Sequence, residues 1–270
     1  MRRVVVAVTF VAAAVPALAV AAALRLVAAE LPPYTFQVPP ATVAEVPGPG
    51  QGIVHEIVEE LARRVGQPAV IEYVPWAEAQ RLASSQAPVG ILALTRTPER
   101  ETQYRWIAKL VADELLVAGR KGVDVASLDG LRDRPTGVLR GSGAEVLLRD
   151  KGFRKIAAAP EEWLNASRLR DGTIDAWVAP RMMMMHAWKE AGGDPRTLVV
   201  GAPVRPSEIW FAASKGVADD DVQRWQNAFD AMRADGSYAR ILDKYEHLEV
   251  RPVPDDMRRE MSGPLWSFPY

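Results

Sequence analysis

The segment VGILALT, residues 89–95, has an apolar side chain at nearly every position. A continuous apolar run of this length is typical of a strand in a parallel sheet that is covered on both faces. Two other strand-like segments, LRLVAAE and AVIEYVPW, precede it, and each is followed by a segment with helical spacing, IVHEIVEELARRVG and AEAQRLASS. This alternating order predicts an α/β fold, in which ligands bind beyond the carboxyl ends of the strands.

A second set of the same kind lies in residues 135–181. It contains the strand PTGVLR, the loop GSG, the helix AEVLLRDKG, a further helix within EEWLNASRLRDG and the strand TIDAWVAPR. The segments RLASSQAPVGILALTR and RLRDGTIDAWVAPR resemble each other, with an arginine just beyond each strand. We therefore expect two α/β lobes that each present a loop to a shared cleft. A late strand, IWFAASKG, and the helices DDDVQRWQNAFDAMRADG and SYARILDKYEH follow.

The chain begins with two arginines, a long apolar run and then small residues, MRRVVVAVTFVAAAVPALAVAAAL. This layout predicts a secretory signal peptide over residues 1–23. An uncleaved membrane anchor is the alternative, because residues 4–24 are almost long enough to span a bilayer. The alanine content and Pro16 favour the signal peptide, so we expect a soluble protein of a bacterial periplasm.

The composition fits a periplasmic protein and argues against a nucleic-acid-binding function. Because the chain has no cysteine, neither a disulfide nor a lipid-modified N-terminal cysteine is available. The formal net charge is −1, and loss of Arg2 and Arg3 with the signal peptide makes the chain more acidic. A nucleic-acid-binding protein usually has a basic face, so we expect no nucleic-acid partner.

The segment TRTPER, residues 95–100, places an arginine where a helix is expected to begin. Thr97 suits the N-cap position and Pro98 the first helical position. Glu99 is favourable at the positive end of a helix dipole, whereas Arg100 is not. An anion bound at this helix start would remove the conflict. The alternative is a surface arginine that pairs with Glu99 or Glu101.

Catalytic and metal-binding patterns are missing from the sequence. The histidines, His55, His186 and His247, have no metal-ligand spacing, and His55 fits the polar face of a helix. There is no G-x-S-x-G, P-loop or strand-linked G-x-G-x-x-G motif. We therefore expect no catalytic residue, cofactor or metal. An enzyme would need a buried carboxylate with a raised pKa, for which the candidates are Glu30, Asp175 and Glu208.

Six motifs occur in the order found in the family 3 solute-binding proteins of ABC transporters, the polar-amino-acid type, and the chain resembles that family. They are ELPPYTF, GIVHEIVEELARRVG, TRTPER, GVLRGSG, LRDGTIDA and MRADGSYARILDKYE, which span residues 30–246. The resemblance implies a type II periplasmic binding fold (a Venus flytrap) with two α/β lobes, here residues 24–111 with 206–270, and residues 112–205. Hinge crossings would lie near residues 112–117 and 199–205.

The resemblance also implies roles for individual residues. The arginine of the family's T-x-x-x-x-R segment binds the ligand carboxylate, and the hydroxyl residue five positions before it adds a hydrogen bond; these positions are Arg100 and Thr95. Gly141 and Ser142 match the segment of the second lobe that meets the same carboxylate. Ser142 also forms a capping-box pattern with Glu145, which needs no ligand.

Three aromatic residues, Tyr34, Phe36 and Trp76, match positions where the family places the walls of its pocket. Any of them could instead belong to the core, and Tyr34 is the strongest candidate for a wall. The implied partners are a small carboxylate-bearing solute and the membrane permease of an ABC transporter, and we expect a monomer.

The chain departs from the family where amino-acid binders carry an acidic residue for the ligand's ammonium group. Pro180 occupies that position here, and Arg181 follows it. An unpaired buried ammonium is costly, so the α-amino acid assignment is in doubt and Arg181 suggests a second anionic or carbonyl group on the ligand. Two other functions stay open: a sensor that reports its ligand to a membrane receptor, and a dehydratase-like enzyme.

Overall fold

The computed structural model describes residues 23–38, 48–85 and 88–245. Residues 1–22 of the predicted signal peptide lie outside these ranges, as do His247 and the rest of the C-terminal segment. In the described residues, no helix combines the length and the apolar character needed to cross a bilayer.

The predicted elements occur in the predicted order, and the structure adds the helix Arg181–Glu190 and several strands that were not predicted. The helices are α1 (Ile53–Arg64), α2 (Trp76–Ala83), α3 (Gly143–Asp150), α4 (Glu162–Arg170), α5 (Arg181–Glu190), α6 (Asp219–Ala234) and α7 (Ser237–Asp243). The strands are β1 (Arg25–Ala28), β2 (Phe36–Gln37), β3 (Gly50–Gln51), β4 (Ile71–Tyr73), β5 (Val89–Thr95), β6 (Tyr104–Gly119), β7 (Thr136–Leu139), β8 (Ile156–Ala159), β9 (Ala176–Pro180), β10 (Val199–Val200) and β11 (Arg205–Ser214).

In the described residues, a nine-stranded mixed sheet has the strand order β4-β1-β5-β11-β6-β9-β7-β8, with β10 beside the end of β6, and β2 and β3 form a separate pair. Strands β4, β1 and β5 are parallel, and so are β9, β7 and β8. The strand VGILALT is buried along six of its seven residues, as its apolar run predicts. It is parallel only to β1, since β11 pairs with it in the antiparallel direction. Burial dictates the apolar run, but it does not dictate the direction of each neighbouring strand.

The two ends of the sheet belong to two lobes with separate cores. The core of the first lobe includes Leu26, Ile57, Leu92, Phe211 and Trp225. The core of the second lobe forms on the two faces of β7 and β9, with Val138, Leu148 and Val178 on one face and Trp177, Met184 and Trp188 on the other.

The strand β6 connects the lobes, and a second segment runs beside it in the opposite direction. The first part of β6 pairs with β11, and Leu115–Gly119 pairs with β9. The N–H groups of Gly201 and Val204 donate to the carbonyls of Val117 and Leu115. The hinge crossings near 112–117 and 199–205 stay a prediction, and these paired segments include residues of both ranges. The exact lobe boundaries stay a proposal.

The expected helix at TRTPER is a single 3₁₀ turn, Pro98–Arg100. The chain enters β6 at Tyr104, which leaves too few residues for an α-helix. Thr97 takes the N-cap position with extended backbone, but its side chain does not cap the turn. Arg100 is thus the last residue of a short turn, and the expected conflict with a helix dipole does not arise.

The run MMMM opens helix α5 and packs between the lobes. Met182 and Met183 join the core of the first lobe together with Leu139, whereas Met184 joins the core of the second lobe. Successive positions on a helix point in different directions, so one short run contacts both cores. Only Met185 is partly exposed.

Candidate functional site

Arg100 lies at the carboxyl end of β5 and is buried, with 7% of its surface exposed. Its guanidinium donates to the Thr95 carbonyl at 3.1 Å and to Oε1 of Gln80 at 2.9 Å, both in the first lobe. It also donates to the Gly141 carbonyl of the second lobe, at 2.9 Å. Burial lowers the pKa of Arg100. Glu101 pairs with Arg96 instead, so Arg100 is not a surface arginine held by that carboxylate.

The facing loop of the second lobe is Gly141 and Ser142, directly before α3. Gly141 has φ +71°, a left-handed conformation that favours glycine. Its carbonyl also accepts a hydrogen bond from Nε1 of Trp76, at 3.2 Å. Ser142 is the N-cap of α3, and its hydroxyl accepts from the N–H of Glu145. The Glu145 carboxylate in turn accepts from the N–H of Gly141 at 2.6 Å, so the predicted cap exists with its return bond shifted by one residue.

The three predicted aromatic residues occupy different environments. Trp76 is partly exposed in the cleft, with the Arg100 guanidinium 5.8 Å from its ring centroid. Phe36 is partly exposed on β2, and its ring centroid lies 6.3 Å from that of His186 in the second lobe. Tyr34 is fully buried in the core of the first lobe, at 1% exposure.

The hydroxyl of Tyr34 makes a short hydrogen bond to Asp113, a residue of the crossing strand β6. The Asp113 carboxylate also accepts from the N–H of Met182 at 3.1 Å and from the N–H of Glu114 at 2.7 Å. Arg181 lies near it, with 3.8 Å between Nε and Oδ1. Arg181 thus faces a carboxylate of β6.

Burial is the main cause of the shifted pKa values of Asp113 and Tyr34. It raises the pKa of Asp113, although the Tyr34 hydroxyl and two N–H groups act in the opposite direction. The pKa of Tyr34 is raised well above its ordinary value by burial and by the adjacent carboxylate. Sequence reasoning missed Asp113, because Glu114 follows it in the segment IAKLVADELLVAG and no pattern marks the aspartate as the buried one.

A small cavity of about 30 Å³ lies between the lobes, and Arg100 is near it because its guanidinium bonds to the lining residue Thr95. It is lined by Thr95, Leu115, Ser142, Gly143, Ala144, Pro180, Arg205 and Ser207. Thr95 and Ser142 therefore line the same space, and their contact with a ligand stays a prediction. The volume accommodates one small polar group, so a larger solute requires the lobes to separate.

A second interlobe cavity of about 170 Å³ is acidic. It is lined by Glu30 and Pro32 of the first lobe and by Leu139, Glu161, Glu162, Trp163, Met183, Ala187 and Glu190 of the second. In the described residues, no group of acidic or histidine side chains is arranged to hold a metal ion. Carboxylates beside the partly exposed Trp163 ring can accommodate an organic cation.

Glu162 is the most perturbed carboxyl group of this cavity. It is buried, its Oε2 accepts from Asn165 and Trp177, and burial raises its pKa to about 7. Burial also raises the pKa of Glu30. Asp175 pairs with Arg120 and Arg134, which lower its pKa, and Glu208 pairs with Lys109. Sequence reasoning missed Glu162, because nothing in the segment PEEWLN marks it as buried.

Comparison with protein families finds one match that covers most of the chain. The family described as bacterial extracellular solute-binding proteins, family 3, matches residues 28–247. The Escherichia coli (strain K12) lysine/arginine/ornithine-binding periplasmic protein is 26% identical over 170 residues. That match covers 59% of this chain and 65% of the relative, slightly less than two thirds of its length.

Solved structures share the fold at low sequence identity. A histidine kinase sensor domain with similarity to periplasmic binding proteins has a TM-score of 0.73 and 18% identity, covering 85% of this chain and 98% of that one. An ancestral arginine-binding protein bound to arginine has a TM-score of 0.68 and 21% identity, covering 82% and 96%. The two-lobed α/β fold expected from the sequence is thereby confirmed.

Proposed function

Because the chain belongs to the bacterial extracellular solute-binding proteins, family 3, we propose that it captures a small carboxylate-bearing solute between its lobes in the periplasm. The solute is then delivered to the membrane permease of an ABC transporter, by a protein that acts as a monomer and not as an enzyme. The observation that carries this proposal is the buried guanidinium of Arg100, which bonds to both lobes across the cleft.

The Arg100 guanidinium offers a planar pair of donors, which matches the two oxygens of a carboxylate. Gln80 and the Thr95 carbonyl hold it in the first lobe, so its orientation does not depend on the ligand. A carboxylate entering the cleft would replace the Gly141 carbonyl as the acceptor facing the second lobe. Ser142 and the first N–H groups of α3 would then meet the same carboxylate, since a helix start favours an anion.

Contacts to both lobes would couple binding to closure. Trp76 and Arg100 of the first lobe bond to Gly141 of the second, which supports these as the surfaces that meet when the lobes close. A solute that touches both surfaces stabilises the closed state over the open one. In this proposal Trp76 and Phe36 flank the solute, whereas the buried Tyr34 supports the wall from behind.

The solute is an amino acid or a related organic acid. The acidic cavity can receive a cationic group at the far end of the solute, which fits the ligands named for the lysine/arginine/ornithine-binding relative. Arg181 lies beside the buried Asp113, which balances part of its charge, and its contact with a second anionic group of the solute stays a prediction.

A ligand sensor is the second function we propose to test. A histidine kinase sensor domain shares this fold, so the same capture mechanism can serve a membrane receptor. Purification of the protein with its membrane partners separates the two functions: a permease complex supports transport, and a receptor kinase supports sensing. A dehydratase-like enzyme is disfavoured, because the sole strongly raised carboxyl pKa of the described residues, that of Glu162, belongs to a group already bonded by Asn165 and Trp177.

The test is a thermal-shift screen of the purified protein against amino acids, dicarboxylates, keto acids and aromatic acids. A ligand at one hundred times its dissociation constant stabilises a protein by about 2.7 kcal/mol, which a melting curve resolves. A shift with carboxylates but not with their amides supports the proposal. Equal shifts with acids and amides would contradict it.

A further inference from the structure

Ser207 is a buried polar residue in the cleft whose hydroxyl has no hydrogen-bond partner in the described part of the chain. It lies on β11 with 2% of its surface exposed, and it lines the small cavity beside Arg100. A buried hydroxyl without a partner is unfavourable, because it loses its bonds to water and gains none. Such a group at the wall of a ligand cavity points to a partner on the ligand.

The groups near Ser207 are hydrogen-bond donors, and they favour a negatively charged or electron-rich ligand atom. Arg205, two residues earlier on β11, lines the same cavity, and its Nη2 donates to the Gly143 carbonyl at 3.2 Å. Gly143 is the first residue of α3, whose first N–H groups have no partner within the helix. The guanidiniums of Arg100 and Arg205 thus approach the same loop, at Gly141 and Gly143.

The lining of the same cavity offers a cation no carboxylate. Its eight lining residues, all in described ranges, include no carboxylate, and Pro180 is one of them. Asp113 is opposite Ser207 in the β6–β11 pair, but its side chain has 0% exposure and is held by Tyr34, Met182 and Glu114. An α-ammonium group here would face the Arg205 guanidinium and the positive end of a helix, which is unfavourable for a cation.

We propose that Ser207 and Arg205 bind an oxygen on the α-carbon of the solute, so that the protein prefers α-keto acids to the matching α-amino acids. This inference rests on the proposed function, because it assumes that the carboxylate binds at Arg100. The keto oxygen accepts hydrogen bonds from the Ser207 hydroxyl and the Arg205 guanidinium, and it requires no counter-charge. The cavity of about 30 Å³ has room for one small polar group such as this oxygen.

The test compares ligands that differ only at the α-carbon. Calorimetry is carried out with 2-oxoglutarate against L-glutamate, and with 2-oxo-5-guanidinopentanoate against L-arginine. We expect the keto acid of at least one pair to bind at least about tenfold more tightly than the amino acid. The reason is that the keto oxygen is hydrogen-bonded in the cavity, whereas the ammonium group has no partner of opposite charge. Tighter binding of the amino acid in both pairs would overturn the inference.

The Ser207→Ala variant tests the residue itself. It should lower the ratio of keto-acid to amino-acid affinity by about tenfold, the effect of one lost hydrogen bond. Because the hydroxyl has no protein partner, the ligand-free variant should melt at the wild-type temperature or above it. A lower melting temperature with an unchanged affinity ratio would assign Ser207 a structural role and overturn the inference.

The Arg100→Ala variant separates this inference from the proposed function. If it removes binding of both members of a pair while the affinity ratio of the wild-type protein favours the amino acid, the α-keto inference alone is wrong. If it leaves keto-acid binding unchanged, the carboxylate site is not at Arg100, and both statements are wrong.

Discussion

The guanidinium of Arg100 and the carbonyl of Gly141 form a hydrogen bond across the cleft between the lobes, with 2.9 Å between Nη2 and the oxygen. Gln80 and the Thr95 carbonyl fix the same guanidinium on the side of the first lobe. When a solute carboxylate binds, Arg100 would therefore replace the Gly141 carbonyl by a charged acceptor and keep its orientation. This preorganisation reduces the free energy needed to order the site upon binding.

Replacing Arg100 by lysine should weaken carboxylate binding even though the charge is kept. An ammonium group cannot reproduce the planar fork that bonds to Gln80, Thr95 and a carboxylate together. Loss of one charge-assisted hydrogen bond predicts an affinity decrease of about 10- to 100-fold, measured by calorimetry.

Arg96 provides the matched control for this substitution. It lies one residue after β5, its guanidinium is near the rings of Trp106 and Trp210, and it pairs with Glu101. Arg96→Lys should lower stability and leave affinity unchanged. Equal affinities for the two lysine variants would show that Arg100 does not contact the carboxylate.

Ser142 should contribute to stability through its cap of α3. Ser142→Ala removes the acceptor for the Glu145 N–H, and an N-cap substitution of this kind costs about 1 kcal/mol. Ser142→Gly should cost only a few tenths of a kcal/mol, because glycine is tolerated at an N-cap. Urea denaturation measures both values. If both variants are as stable as the wild type, the Ser142 cap does not contribute to stability.

Tyr34 should stabilise the fold through Asp113. Tyr34→Phe removes the hydroxyl that donates to a buried carboxylate, which costs about 1 to 3 kcal/mol. A double-mutant cycle with Asp113→Asn isolates the interaction, since the two effects should not add. Strictly additive effects would mean that the hydrogen bond contributes nothing to stability.

The protein should lose stability as the pH rises through the range in which Glu162 ionises. Its folded-state pKa, about 7, lies above the ordinary value of 4.5, so the folded state binds more protons than the unfolded state between these pH values. The shift corresponds to about 3 kcal/mol at most, because each pKa unit is worth about 1.4 kcal/mol. Stability measured by urea denaturation should therefore fall between about pH 4.5 and 7 and level off above that range.

Glu162→Gln should flatten this pH dependence and raise stability at pH 8, because the amide keeps an acceptor for Asn165 and Trp177 without a charge. Glu161→Gln is the matched control: Glu161 is exposed, adjacent in sequence and lines the same cavity. If stability still depends on pH in Glu162→Gln but not in Glu161→Gln, the pH effect belongs to Glu161 and the prediction is wrong.

Local patterns in the sequence predict most of the fold. The apolar run of β5 and the helical spacing of α1 identify both elements, since burial on one or two faces leaves a periodic signal. The antiparallel insertion of β11 beside β5 leaves no such signal, because it depends on a strand more than one hundred residues away. The 3₁₀ turn at Arg100 was missed for a similar reason: the nearby start of β6 limits its length.

The site is predictable only where the family motifs mark it. Thr95, Arg100, Gly141 and Ser142 converge in the structure, whereas Tyr34 packs in the core. Asp113, Glu162 and Ser207 carry no local signal, because each has a glutamate beside it in the sequence and nothing there separates a buried polar side chain from an exposed one. Tertiary packing alone determines their burial and hence their chemistry.

The most direct test of the central claim is a calorimetric titration of wild-type protein and Arg100→Ala with the best carboxylate from the thermal-shift screen. Circular dichroism confirms that both proteins are folded before titration. We predict a saturable isotherm for the wild type and no measurable binding for the variant. An Arg100→Ala protein that keeps the wild-type affinity would contradict the claim that this arginine holds the solute's carboxylate between the lobes.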